Sequence, residues 1–337
     1  MRFLLAFIVL VGSVAVASTL WYQQELKPVD SASSQRITVT VEQGMSVEQI
    51  ADLLKERGLI RSVRAFRLYL RFTGEDRGIK AGRFILQPSQ SVQEIVDILR
   101  SGRGEEIVLT IPEGYTVTDI DKLLVDSGLA EAGAFVRCAQ ECDLSDVWFL
   151  PESAGLAERG GIVEGYLYPD TYFVEAQQFD TEQFMRRLLH TFEQKVIEAF
   201  PEQLARSDRS LHEAITMASL IEKEASNDTE RPIIAGILWK RYSEGLGLGV
   251  DATVRYILNK PTTSITVADL NTNSPYNTRK FRGLPPGPIA SPGQQSIVAA
   301  FNPSETEYWY YLHDPEGRIY YARTNEEHNI NRYLYLR

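Results

Sequence analysis

A repeated strand–turn–helix pattern is the feature that most limits how this chain can fold. Residues 39–59 and residues 109–129 each show an alternating apolar run, a glycine, a Ser or Thr, and an amphipathic segment that ends at a second glycine. Period-two alternation predicts a strand, and the Ser or Thr predicts the N-terminus of a helix. A partial third copy covers residues 84–99. We therefore expect residues 36–104 to form a small αβ module with the order strand, helix, helix, strand, helix.

The first residues form the one stretch of the sequence that is apolar enough to cross a membrane. Residues 3–22 contain no charged side chain, and about twenty apolar residues span a bilayer as a helix. Trp21 and Tyr22 then supply an aromatic anchor at the interface. This pattern predicts a single span with the amino terminus in the cytoplasm and the rest of the chain exported. A cleaved signal peptide is the alternative, because residues 15–17 (Ala-Val-Ala) resemble a cleavage site, although the apolar run continues beyond them.

The composition narrows the choice of partners. The 337 residues are 44% hydrophobic and 24% charged, which is typical of a globular protein. A net charge of −10 without a Lys/Arg block disfavours a nucleic-acid partner, since affinity for phosphate chains comes from clustered cations. A neutral polymer such as a glycan fits better. The four histidines show no ligand spacing, so we expect no metal and no cofactor.

The two cysteines, Cys138 and Cys142, lie four residues apart. In an exported chain they could form a local disulfide. An i, i+4 pair within a helix is near the upper limit of the Cα–Cα distance for a disulfide, so this bridge requires a helix to end there.

Glu222 is the strongest candidate for chemistry in this sequence. Ser210 and Glu213 form a capping-box pattern, which predicts a helix start. At about 100° per residue, Glu222 falls on the same face of this helix as Ile215 and Ala218. A carboxyl group in apolar surroundings keeps its proton more firmly than one in water, which suits a general acid in glycoside cleavage. The alternative is a buried structural acid paired with an arginine elsewhere in the chain.

The rest of the chain mixes helices with short strands. Residues 162–174 are predicted to form a strand rich in aromatic side chains. The pattern further predicts helices at about 180–200, 211–225 and 230–244, a hairpin around residues 314–317, and a helix after a second capping box at residues 324–327. A long alternating series of strands and helices is missing, so the predicted class is α+β rather than a doubly wound sheet.

Residues 218–224 read Ala-Ser-Leu-Ile-Glu-Lys-Glu. This segment resembles the A-S-hydrophobic-hydrophobic-E-K-E helix of the YceG-like, or MltG-type, endolytic murein transglycosylases, and it is the most specific of several such matches. Further matches lie at residues 163–172, 230–231, 251–256, 274–278, 283–293 and 324–328. Departures also occur: Gly249 and Ala252 stand where the family usually has Gln and Pro, and Lys240 stands where Asn is common.

The resemblance implies a domain organisation. It gives a transmembrane anchor at residues 1–24, a linker at 25–35, a LysM-like module at 36–104 and a larger mixed α+β catalytic domain at 105–337. The LysM-like module would bind glycan; a spacer without ligand contacts is the alternative, because a fold does not fix a function. The resemblance also implies a protein of the cell inner membrane whose catalytic domain lies in the periplasm.

The reaction that the resemblance implies is cleavage of the β-1,4 bond between N-acetylmuramic acid and N-acetylglucosamine within peptidoglycan strands. The 6-hydroxyl of the muramic sugar attacks its own anomeric carbon and leaves a 1,6-anhydro end. Glu222 acts first as acid and then as base, so a second carboxylate for activating water is not required. The family's link to the termination of nascent strands also points to contacts with peptidoglycan synthases, although nothing in the sequence locates them.

Four more residues are candidates for binding this substrate. Tyr276, Asn277 and Thr278 lie in a predicted loop, where polar side chains on a rigid scaffold could bind sugar amides and hydroxyls. Turn chemistry around the neighbouring proline is their alternative role. Glu164 could orient Glu222 or a sugar, or could simply cap a turn.

Two other functional classes fit the same sequence. The first is a hydrolytic muramidase, in which Glu164 or Asp251 activates a water molecule. The second is a non-catalytic, membrane-tethered scaffold that binds murein.

Overall fold

The computed structural model describes residues 2–75, 78–101, 106–152, 160–176, 179–260 and 265–336. The chain divides into two compact units: residues 1–108 with 173–178 form the first, and residues 109–172 with 179–337 form the second. The predicted boundary at residues 104 and 105 lies outside the described residues.

The first unit has the element order that the repeat predicts. After the first helix come a strand, two helices, a strand and a helix: α1 (Arg2–Glu25), β1 (Ile37–Val41), α2 (Val47–Glu56), α3 (Val63–Thr73), β2 (Gly82–Leu86) and α4 (Val92–Ser101). β1 and β2 pair antiparallel, with Val39 opposite Phe84. The helices cover this pair with a core that includes Leu54, Phe66 and Ile95. Among the residues whose side chains are described, no helix is both long enough and apolar enough to span a membrane.

The remaining elements confirm a mixed α+β class with small sheets. They are β3 (Glu106–Thr110), α5 (Val117–Asp126), α6 (Ala134–Glu141), β4 (Thr171–Glu175), α7 (Thr181–Phe192), α8 (Pro201–Arg206), α9 (Leu211–Glu224), α10 (Arg231–Ser243), α11 (Asp251–Leu258), α12 (Val267–Leu270), α13 (Gln294–Phe301), β5 (Tyr310–His313), β6 (Ile319–Ala322) and α14 (Asn325–Tyr335). β3 pairs with β4, and β5 pairs antiparallel with β6 as the predicted hairpin.

The two full copies of the repeat have the same local structure. Ser46 and Thr116 each accept a hydrogen bond from the backbone N–H three residues later and complete a capping box. The glycine of each turn, Gly44 or Gly114, has a φ of 90° or 77°. Only glycine adopts this left-handed region without strain, which explains why both copies place it between strand and helix.

In the second unit, most of helix α9 is buried. It starts at the predicted capping box, where Ser210 accepts from the N–H of Glu213. It packs against α10, α11 and α13. Eight consecutive residues, Ala214 to Ile221, are buried, so this helix is enclosed on every side except near its ends.

The predicted strand over residues 162–174 is wrong for its first half. Only Thr171–Glu175 is a strand, and Gly161–Val163 forms a single 3-10 turn. Gly165 has a φ of 85°, and a Cβ there would lie 2.3 Å from the Cβ of Pro288. The positive φ takes the backbone out of the extended region, so Tyr166 and Tyr168 are buried from turns, whereas Tyr172 is buried from the strand.

The local disulfide that the spacing allows is present between Cys138 and Cys142, whose Cα atoms lie 4.7 Å apart. As expected, the bridge coincides with a helix end: α6 stops at Glu141, and Cys142 has extended backbone. The short Cα–Cα distance is accommodated because the second cysteine has left the helix.

We expect reduction of this bridge to lower the free energy of unfolding by about 2 kcal/mol, because closing even a short loop restricts the unfolded chain. Urea unfolding with and without reductant measures the change. A variant with Cys138→Ser and Cys142→Ser is the control, and its unfolding should not respond to reductant. Wild-type protein that is equally stable in both conditions would contradict the expectation.

Candidate active site

Glu222 lies in the last turn of α9 with its side chain 8% exposed. Its Oε2 accepts a hydrogen bond from the backbone N–H of Gly293 at 3.0 Å and another from the hydroxyl of Ser296 at 2.7 Å. Both donors belong to the start of α13, whose first N–H groups have no partner within the helix. The expectation of purely apolar surroundings is therefore wrong, because a second helix brings donors to this carboxyl.

Arg231 supplies the positive charge next to Glu222. Its Nη2 lies 3.6 Å from Glu222 Oε1, which is within ion-pair range but longer than a hydrogen bond. The guanidinium donates instead to Ser296 Oγ at 2.9 Å and to Asp228. The arginine that the structural alternative required is thus present as a loose ion pair. Within the described residues, Oε1 of Glu222 accepts no hydrogen bond.

A second carboxyl, that of Glu113, lies beside this group. The loop that carries it is tied down by Gly114 N–H, which donates to Ser291 O at 2.7 Å, and by Lys223 Nζ, which donates to Gly114 O at 2.6 Å. The Glu113 carboxyl packs against Gly293 so closely that a Cβ at residue 293 would lie 2.0 Å from its Cδ. Gly293 therefore donates its N–H to the carboxyl of Glu222, and the carboxyl of Glu113 packs against its α-carbon.

The position of Glu113 affects its protonation. Although Glu113 is exposed as a whole, burial of its carboxyl against Gly293 and the charge of Glu222 raise its pKa. Sequence reasoning missed this residue. The repeat contains a signal that could have found it. The residue before the turn glycine is Gln43 in the first copy but the acidic Glu113 in the second.

Glu164 is buried at the start of α5 rather than beside Glu222. It is 2% exposed and accepts hydrogen bonds from Val117 N–H and from the Tyr256 hydroxyl, both at 3.2 Å. Burial raises its pKa to about 8, although both hydrogen bonds act in the opposite direction. Among the described residues it forms no hydrogen bond with Glu222, so its contacts are those of a residue that caps a helix.

Tyr276, Asn277 and Thr278 are all buried, at 1%, 0% and 1% exposure. The side-chain amide of Asn277 donates to the carbonyl oxygens of Leu270 and Thr272. The Thr278 hydroxyl accepts from the N–H of Val250 at 3.0 Å. These contacts organise the loop against α11 and α12, as the turn-chemistry alternative requires. A role in sugar binding stays a prediction.

A cleft of about 410 Å³ opens on the other side of the C-terminal turn of α9. Its lining includes Thr116, Asp119, Lys223, Glu224, Asp251 and Tyr256. Glu222 is not part of this lining, because residues i and i+2 point to diverging sides of a helix. Lys223 links this cleft to the surroundings of Glu222. It lines the cleft and also holds the loop that carries Glu113.

The fold and this acid-bearing helix agree with the comparisons to known proteins. Residues 39–333 match the YceG-like family, and the chain belongs to that family, as the sequence motifs predicted. A Bacillus subtilis protein named endolytic murein transglycosylase is 30% identical over 94% of this chain and 89% of its own length. A Streptococcus pneumoniae protein of the same name is 28% identical over 98% of this chain, which spans only 64% of that relative. A crystal structure of a YceG-like protein from Listeria monocytogenes covers 88% of this chain and 99% of its own, with 30% identity and a TM-score of 0.62.

We expect Glu164→Gln to flatten the pH dependence of stability between about pH 4.5 and pH 8. In this window the folded state holds a proton on Glu164 that the unfolded state has lost, so wild-type stability falls as the pH rises. The slope approaches 1.4 kcal/mol per pH unit for one proton, an order-of-magnitude figure. Urea unfolding at several pH values measures it. Glu202→Gln is the matched control because that side chain is 75% exposed; identical slopes in both variants would contradict the expectation.

Proposed function

We propose that this chain is an endolytic lytic transglycosylase that cleaves the bond between N-acetylmuramic acid and N-acetylglucosamine within peptidoglycan strands and leaves 1,6-anhydro ends. Membership of the YceG-like family and the names of the curated relatives support the reaction class. The observation that carries the assignment to Glu222 is the asymmetry of its carboxyl. Oε2 is fixed by two donors, whereas Oε1 accepts no hydrogen bond from the described residues.

The chemistry needs one carboxyl that gives and then regains a proton. Glu222 protonates the glycosidic oxygen while the bond from that oxygen to the anomeric carbon breaks. The 6-hydroxyl of the same muramic sugar then forms the new bond to the anomeric carbon, and its proton passes to Glu222. The proton count of the enzyme is therefore unchanged after each turnover. Fixing Oε2 holds Oε1 in one orientation for both transfers, which is what general acid–base catalysis requires.

The neighbours of Glu222 supply hydrogen-bond donors, a positive charge and a second carboxyl. Gly293 and Ser296 donate to Oε2, and Arg231 lies within ion-pair range of Oε1, so these groups suit the carboxylate that accepts the proton from the 6-hydroxyl. The second carboxyl belongs to Glu113, whose own pKa is raised by burial and by the charge of Glu222.

The cellular setting is part of the same proposal. The uncharged residues 3–22 would anchor the chain in the inner membrane with the amino terminus in the cytoplasm. The rest of the chain would then face the periplasm, where the LysM-like module at residues 36–104 would bind glycan. Strand termination would bring the enzyme into contact with peptidoglycan synthases.

A hydrolytic muramidase is the second candidate, and the position of Glu113 is the observation that favours it. Glycosidases that use water employ two carboxyl groups, and here two flank Gly293. Glu164 and Asp251 are less suited to activating water, because Glu164 is buried and Asp251 is paired with Arg279. Mass spectrometry separates the two reactions, since an anhydro end and a reducing end differ by one water.

We expect Glu222→Gln to reduce the release of anhydro-muropeptides by 10²- to 10⁴-fold, roughly the contribution of a positioned general acid. Liquid chromatography with mass spectrometry of digested, uncrosslinked glycan strands measures the products. Glu202→Gln serves as the control on an exposed surface. Release at the wild-type rate from the Glu222→Gln protein would rule out this assignment. Wild-type protein that cuts neither uncrosslinked nor lightly crosslinked strands would favour the non-catalytic scaffold.

We expect Glu113→Gln to slow the reaction about tenfold, equivalent to about 1.4 kcal/mol of the activation barrier, and to leave the anhydro product unchanged. The amide keeps the shape of the side chain but removes the carboxyl that lies across Gly293 from Glu222. The rate and the product ratio are measured across pH by the same mass spectrometry. Wild-type product with reducing ends that disappear in Glu113→Gln would instead identify a hydrolase with Glu113 as its base.

A further inference from the structure

A second cleft of the second unit takes no part in the chemistry described above. It has a volume of about 520 Å³ and lies between the ends of α9 and α10, strand β5, and α14. Its lining includes Glu224, Arg241, Arg279, Tyr311, His328 and Arg332. It shares Glu224 and Asp251 with the first cleft. Three of the sequence motifs therefore meet here through Glu224, Asp251 and His328, none of which acts in the cleavage step.

Two of the arginines in this cleft have no carboxylate partner among the described residues. Arg241 donates to the backbone carbonyl oxygens of Gly247 and Trp309, and its guanidinium lies 5.4 Å from the ring centre of Tyr310. Arg332 is exposed and forms no hydrogen bond or ion pair with its side chain in the described part of the chain. By contrast, Arg279 is neutralised by Asp251. The cleft therefore holds two guanidinium charges that an anion could compensate.

His328 adds a buried polar atom that the protein does not satisfy. Its Nδ1 is buried and has no hydrogen-bond partner among the described residues. Its ring stacks on Tyr310 at a centroid distance of 5.2 Å. Burial and the charges of Arg332 and Arg241 lower its pKa. A buried polar atom without a partner is costly, so a ligand that supplies one is stabilised at this point.

The cleft carries less negative charge than its acidic residues alone would give it. The Tyr311 hydroxyl donates to Glu224 Oε2 at 2.9 Å. Burial raises the pKa of Glu224 to about 7, so this residue carries only part of a negative charge near neutral pH. The lining therefore favours an anion over a cation.

We propose that this cleft binds a carboxylate of the peptide stem attached to the muramic sugar, an inference that rests on the proposed function. Peptide stems carry free carboxylates, and the planar guanidinium groups of Arg241 and Arg332 match a carboxylate in shape and charge. The Nδ1 atom of His328 supplies a further hydrogen bond. The cleft begins at Glu224, in the same last turn of α9 as Glu222, so a stem held here would anchor the strand at this end of the helix.

The test compares two substrates that differ only in the stem. One is uncrosslinked glycan with intact stems, and the other is the same glycan after an amidase has removed them. We expect Arg332→Gln to raise KM for the stem-bearing strands about tenfold, to leave kcat unchanged, and to leave KM for the bare strands unchanged. Arg318→Gln is the matched control, because that arginine is 66% exposed and is not part of the cleft lining. Equal values for wild type and Arg332→Gln on both substrates, or equal losses on both, would overturn the proposal.

A binding measurement keeps this test separate from the proposed function. N-acetylmuramoyl-L-alanyl-D-glutamate is titrated into the full chain and compared with N-acetylmuramoyl-L-alanyl-D-isoglutamine, which has an amide in place of one carboxylate. We expect the glutamate form to bind about tenfold more tightly, and this preference to disappear in Arg332→Gln. If wild-type protein cleaves neither glycan, the proposed function fails while this titration still decides the role of the cleft. Equal binding of the two dipeptides would sink the carboxylate site.

Discussion

The contact between the start of α13 and the last turn of α9 is the interaction on which the candidate site depends. The first N–H groups of a helix lack partners within it, and a carboxyl near the end of another helix is itself costly to bury. Glu222 accepts hydrogen bonds from the N–H of Gly293 and from the hydroxyl of Ser296. The start of α13 thereby gains an acceptor, and the buried carboxyl gains donors. One carboxylate oxygen is thereby held by a backbone N–H and by the hydroxyl of a fully buried serine. The opposite oxygen, Oε1, accepts no hydrogen bond from the described residues.

The rigidity of this contact comes from the burial of α9. Its middle is enclosed by α10, α11 and α13, with Ala218 and Leu220 fully buried. A site on such a helix inherits its precision from core packing rather than from a loop. The loop carrying Glu113 is then tied to the same helix through Lys223. The two acids are therefore positioned by one element, although they are far apart in the sequence.

The elements of this fold were predictable from the sequence where the signals are local. Capping residues such as Ser46, Thr116 and Ser210 set helix starts, and turn glycines set the ends of strands, because both act within a few residues. The error over residues 162–174 has a non-local cause, since the turn at Gly165 is fixed by its close approach to Pro288.

The candidate site shows the same limit more sharply. The position of Glu222 on its helix followed from periodicity, but the donors around it come from α13 and could not be read from spacing. Glu113 was missed for the same reason. Tyr276, Asn277 and Thr278 were singled out as polar loop residues, yet the tertiary structure uses their side chains to hold that loop. Loop composition alone does not distinguish a residue that binds from one that organises the binder.

Gly293 has an ordinary backbone conformation, with a φ of −75°. Its torsion angles therefore suit any residue, and what a methyl group there would meet is the carboxyl of Glu113. Because that carboxyl is the far end of a flexible side chain, it can move aside. The cost of a larger residue at position 293 is thus a displaced acid beside Glu222 rather than a strained backbone.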